Sequence, residues 1–363
     1  MNYRLRDLSQ YEDAPLHQYN SFRDFLRVEV RHGISRISSN EMHLDFLYED
    51  KGSPVTFVYF HAALGLKQAY PFFGGRGMID GFPVNYLGIA DPVAGLVNAP
   101  TAGWHLGTSQ MPLHENLAQV IAHVLATGSG TQLMFFGASA GGFASLYYGA
   151  QFKSSLSVVV NPRTALFNSP HTFEEYRDVA YPGTQTDDFG SFLSMDTATL
   201  HASGEANTVA YIQNLQDKRF LNNQLIPFLE QCPGNERIYL KVGEYGVGHV
   251  VPPRSVLRKA IKASLRTAPD WKRGLLADGF SRGPSADGLA DASRASIKAA
   301  SSGKNKRART TAAWIDHTRR RLYAKWHAPV AGSPQRRLLR TLPTGNGMPL
   351  AAEDPAQQSS RAG

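Results

Sequence analysis

Gly137-Ala-Ser-Ala-Gly141 sets a serine between small residues in the pattern G-x-S-x-G. A serine in that pattern can be a nucleophile if it stands on a strained turn from strand to helix, its hydroxyl raised above a sheet. Small flanking residues are needed because the two backbones pass close together there. Residues 133–136, Leu-Met-Phe-Phe, read as the strand, and 143–150 read as the helix, with Gly142 as a further small residue. Gly279-Phe-Ser-Arg-Gly283 matches the same pattern. It has no apolar strand before it and no helix after it, so Ser281 is expected to be inert.

A serine hydroxyl becomes nucleophilic when a base takes its proton. For this motif the partners follow in the order serine, acid, histidine, which leaves His171, His201, His249, His317 and His327. Only His249 lies in a loop directly after an apolar strand, 238–242, and Gly243, Gly246 and Gly248 let that loop bend back over the strand ends. The acid should follow the preceding strand, 208–212, and Asp217 stands five residues beyond it. Asp187, Asp188 and Glu244 are rivals. The first two lie in an inserted segment, and Glu244 leaves its strand too early. An acyl-transfer oxyanion needs two N–H donors. Ala140, directly after the serine, supplies one, and Ala62 or Ala63, after the strand Val55–Phe60, supplies the other. His61 is expected to brace that loop.

These groups need a scaffold. Val55–Phe60, 84–90, 133–136, Leu156–Val160, 208–212 and 238–242 are short apolar runs rich in β-branched and aromatic residues, the mark of strands buried on both faces. Segments 25–30 and 43–48 also read as strands. Helical spacing marks 116–126 and 255–265. Strands alternating with helices imply an α/β fold, a mainly parallel sheet flanked by helices. The polar stretch at about 163–206, after the sixth strand, is where a cap would be inserted.

The 55–63 strand and loop, the elbow at Ser139, Asp217 and the His249 loop together resemble the α/β-hydrolase superfamily over residues 20–265. Gln213-Asn-x-x-Asp217 and Gly248-His-x-x-Pro-Pro253 are similar to bacterial hydrolase-like proteins of glycan and accessory-secretion pathways, some of them acetyltransferases. The resemblance implies a serine esterase, or an O-acyltransferase onto a glycan or other hydroxyl. A binding module on the same scaffold is the reading from another class. Many members carry His-Gly after the third strand where this chain has His61-Ala62.

No cofactor or metal is expected. His114-Glu115 opens like a zinc-binding helix, but Ala118 stands where the second histidine belongs. Gly74-Gly-Arg-Gly77 lacks a phosphate-loop lysine. One cysteine, Cys232, excludes an internal disulfide. The first residues carry no apolar leader run and no stretch is long enough for a membrane span, so the expected location is cytoplasmic. Charge is uneven. Residues 1–270 hold 21 Lys/Arg against 24 Asp/Glu, and 271–363 hold 17 against 6. The reading is therefore a hydrolase domain over 1–268 and a basic, largely disordered tail over 269–363. There Trp314, Tyr323 and Trp326, among Arg319–Arg321 and Lys325, suit weak contact with an anionic membrane or nucleic acid. The principal partner is a small acyl ester.

Overall fold

The computed structural model of the chain describes residues 4–65 and 67–282. These fall in one compact unit. The strands are β1 (Leu16–Tyr19), β2 (Gly33–Ser39), β3 (Met42–Glu49), β4 (Val55–Phe60), β5 (Asn85–Ile89), β6 (Gly107–Thr108), β7 (Met111–Pro112), β8 (Gln132–Ala138), β9 (Leu156–Val160), β10 (Thr208–Asn214) and β11 (Ile238–Gly243). The helices are α1 (Phe22–Phe25), α2 (Arg76–Ile79), α3 (Leu113–Thr127), α4 (Ala140–Gly149), α5 (Pro170–Ala180), α6 (Ala198–His201), α7 (Lys218–Phe220), α8 (Ile226–Gln231), α9 (Arg254–Leu265) and α10 (Trp271–Ala277).

Nine strands form one sheet in the order β1-β2-β3-β5-β4-β8-β9-β10-β11, and β6 and β7 make a separate small hairpin. The pairs from β5 to β11 are all parallel, and antiparallel pairing is confined to β2–β3 and β3–β5. This is an α/β-hydrolase fold. Successive residues of the central strands enter opposite cores: Phe135 packs with α3 and α4, whereas Met134 and Phe136 pack with α9 and α10. Burial on both faces is why these strands are apolar throughout rather than alternating. In α9, Leu257, Ala260, Ile261 and Ser264 are the buried positions, one face of an amphipathic helix.

Three expectations change. Segment 25–30 is not a strand. The Ser21 hydroxyl accepts from the Asp24 N–H at 3.1 Å and starts α1, which buries Phe25. The strands of this region are β1 and β2, the latter turning into β3 through Asn40-Glu41, with Asn40 at φ 54°. The inserted segment, polar in sequence, carries helices α5 and α6 and part of the core. In α5 the residues Phe173, Tyr176 and Ala180 are buried at helical spacing, in one core with Trp104 and Tyr147. The folded domain also takes in residues past 268, among them α10 and Ser281. Asp270 caps α10, Trp271 is buried with its Nε1–H donated to the Ser154 carbonyl at 2.8 Å, and Ser281 bridges Leu240. The remainder of the proposed tail, Trp314–Trp326 included, lies outside the described residues. Among the described residues no helix is long and apolar enough to cross a membrane.

Candidate active site

β4, β8, β9, β10 and β11 run parallel, so the loops after them share one edge of the sheet. Ser139 stands there between β8 and α4, at φ 51°, ψ −112°. That left-handed backbone is costly for a residue with a side chain. The surroundings enforce it. The Ser139 N–H donates to the Val160 carbonyl at 3.0 Å, and its own carbonyl accepts from Phe143 at 3.2 Å and Arg163 at 3.0 Å. A Cβ at Gly137 would enter the Gly141 carbonyl, and one at Gly141 would enter the Phe60 carbonyl. The glycines let α4 pass directly against the end of β4.

That approach sets Ala140 beside Ala62 and Ala63, and the three line one cleft with His61, Asp91 and Trp104. No other described residue takes their N–H groups. His61 braces the loop, as its position suggested. Its Nδ1 bonds the Ala62 carbonyl at 2.7 Å, and its Nε2 accepts from the Asp91 N–H at 2.9 Å. Below it, His105 donates from Nε2 to the His61 carbonyl at 3.2 Å, while Asp91 accepts the His105 N–H at 2.9 Å. Trp104 and His105 both have positive φ, 51° and 57°, so this carboxylate holds a strained loop. Burial lowers the pKa of His61 to about 3 and of His105 to about 4, so both are neutral braces at working pH.

Asp217 and His249 meet. His249 Nδ1 lies 2.5 Å from Asp217 Oδ2, with Asp217 buried and His249 part-exposed. The Asp217 Oδ1 accepts the Phe220 N–H at 3.2 Å, and the Phe220 ring stacks on the imidazole with centroids 3.9 Å apart. The carboxylate thus fixes the tautomer and the ring fixes the plane. Two asparagines tie the loops together. Buried Asn214 donates from Nδ2 to the carbonyls of Gly246 and Gly248 at 2.7 and 2.9 Å, and its Oδ1 accepts from Gln216 and Tyr245. Asn161 donates to the Val250 carbonyl at 2.9 Å and accepts the Asn214 N–H at 2.7 Å. Ser139 Oγ and His249 make no hydrogen bond to each other. Contacts of this kind tighten when substrate binds.

The rivals stand elsewhere. Asp187 and Asp188 lie in the insertion, Glu244 reaches Gln216 rather than His249, and His201 is buried against the Leu146 carbonyl. Ser281 is exposed and bridges Leu240. Sequence reasoning passed over Arg163, whose guanidinium lies 5.6 Å from the Phe220 ring centre and 6.0 Å from that of Trp104. It follows Asn161-Pro162 directly, but only the fold reveals that it stands beside the serine. Asn161 and the Asp91–His105 brace were missed for the same reason.

No protein-family model matches the chain, and no curated protein matches its sequence. Solved structures do match. The capsule O-acetyltransferase of Neisseria meningitidis serogroup A is 14% identical, with 66% of this chain and 96% of that chain covered and a TM-score of 0.46. Pyrococcus horikoshii acylaminoacyl peptidase is 12% identical, with 72% and 44% covered and a TM-score of 0.43. Prolyl oligopeptidase B from Galerina marginata is 12% identical, with 68% and 37% covered and a TM-score of 0.45. This chain therefore spans less than half of the two peptidases. The fold assignment rests on this chain's own strand order.

Proposed function

We propose that the chain is a serine hydrolase or acyltransferase that works through an acyl-Ser139 intermediate. The observation that carries this reading is the 2.5 Å Asp217–His249 contact on the sheet edge where Ser139 holds its strained turn. In this reading Ser139 Oγ attacks the carbonyl carbon of an acyl ester while His249 Nε2 takes the hydroxyl proton. Asp217 keeps the imidazole oriented and stabilises the imidazolium. The developing oxyanion is met by the N–H of Ala140 and that of Ala62 or Ala63. His249 returns the proton to the departing alcohol, leaving the acyl group on Ser139.

Water, activated by His249, then releases a carboxylic acid, and the enzyme is an esterase. The same intermediate can pass its acyl group to a hydroxyl acceptor such as a sugar, and that is the transferase form. An acyl-ester panel, with and without sugar acceptors, tests both. Wild-type turnover that disappears in Ser139→Ala and His249→Ala supports the reading. Turnover that persists in both variants overturns it. Acyl sugar appearing only when acceptor is added selects transfer over hydrolysis.

A further inference from the structure

Arg163 is buried, with 8% of the residue exposed, and among the described residues its only hydrogen bond is the one its backbone N–H gives Ser139. Its Nη1 is sealed from solvent without a partner. Two other buried charges have opposite partners: Asp45 faces Arg6, and Asp278 faces Lys241. An unpaired cation is strongly disfavoured in such surroundings, because it has given up water and received no anion in return. Burial, with Arg219 nearby, lowers its pKa to about 10. No carboxylate offsets that.

The position gives this defect a use. The Arg163 backbone N–H holds the Ser139 carbonyl, and its guanidinium is 6.0 Å from the ring centre of Trp104, which lines the cleft of Ala62, Ala63 and Ala140, and 5.6 Å from that of Phe220, which stacks on His249. The two rings are within cation–π range of the guanidinium, and its Nη1 is left without an acceptor. Arg219, exposed on α7 and bonded to the Ser169 hydroxyl, is a second cation near Arg163. We propose that the substrate carries an oxyanion group, a carboxylate or a phosphate, bound by the Arg163 guanidinium beside Ser139, with Arg219 at the entrance. A planar guanidinium meets either group with two parallel N–H donors. The proposal rests on Ser139 as the acyl-transfer nucleophile and adds what the substrate must carry.

The test compares 4-nitrophenyl acetate with 4-acetoxybenzoate and 4-acetoxyphenyl phosphate as substrates. The wild type should favour at least one charged ester by about tenfold in kcat/KM, and the better one identifies the group. Charge-assisted hydrogen bonds of this kind predict that Arg163→Gln lowers the charged-to-neutral ratio about 10- to 100-fold, with Arg163→Lys in between. An equal preference in wild type and Arg163→Gln, or no preference in the wild type, overturns the proposal. Calorimetry on Ser139→Ala with benzoate, phenyl phosphate and benzyl alcohol is independent of turnover and of how the Arg163 variants fold. Anions that bind while benzyl alcohol does not support the site, even if no ester is turned over and the acyl-transfer reading fails. Benzyl alcohol binding as well as the anions overturns it.

Discussion

The chain writes G-x-S-x-G twice, and the two copies have different surroundings. At 137–141 the glycines are boxed in by backbone, the serine is held at φ 51°, and a carboxylate–imidazole pair lies on the same sheet edge. At Ser281 the residue is exposed and pairs with Leu240 at the rim of the sheet, and a Cβ at Gly279 would meet nothing within 4 Å. The pattern alone has no chemical content. What makes a serine a candidate nucleophile is a backbone strain that the neighbouring strands maintain, together with a base that other loops deliver.

The sharpest way to break this contrast is at the relay that only the first copy has. Asp217→Asn should lower kcat by on the order of 10³- to 10⁴-fold with little change in the melting temperature, because the wrong imidazole tautomer is then held. Near-full activity in that variant, with loss in Glu244→Gln, would move the acid to Glu244. Next comes packing. Gly141→Ala drives a methyl group into the Phe60 carbonyl and should cost about 3 kcal/mol, whereas Gly279→Ala, in open space at φ 80°, should cost about 1 kcal/mol. Equal costs in chemical denaturation would show that the first elbow is not enforced.

A smaller effect is expected at Asn214, which touches neither Ser139 nor the imidazole. Asn214→Ala frees the Gly246 and Gly248 carbonyls and should lower kcat about 10- to 100-fold while KM stays near its wild-type value. A KM change without a kcat change would assign it to substrate binding instead.

The histidine brace beneath Ala62 also differs in its response to acid. His61 and His105 have folded-state pKa values of about 3 and about 4, below the ordinary 6.5. The unfolded chain therefore takes up protons that the folded chain refuses. Stability is full above about pH 6.5 and is lost as pH falls toward those values, at about 1.4 kcal/mol per pH unit for each histidine. Thermal melts between pH 7.5 and pH 5 should show this slope, and His105→Gln should reduce it. An unchanged slope would mean that these imidazoles are protonated in the folded chain.

How much of this was legible follows from the physics of each part. β4, β8 and β9 are buried on both faces, and that leaves continuous runs such as Val55-Thr-Phe-Val-Tyr-Phe60 in the sequence. β2 hid because Ser35, Ser38 and Ser39 dilute its apolar signal, although Ser35 is fully buried. The Asp217–His249 contact was legible because each residue follows a strand closely in sequence. Arg163 and Asn161 were not, since their meaning comes from Phe220, Trp104 and Val250, which lie far away in the chain. The α10 segment was assigned to the tail because its one strong anchor, Trp271, stands among charged residues.

The central claim is that Ser139, alone of the two motif serines, is an activated nucleophile. Labelling with a fluorophosphonate probe, followed by peptide mapping, tests it most directly. Stoichiometric label is expected on the peptide containing Ser139, with none in Ser139→Ala and wild-type labelling in Ser281→Ala. Label that survives in Ser139→Ala, or that maps to Ser281, would contradict it.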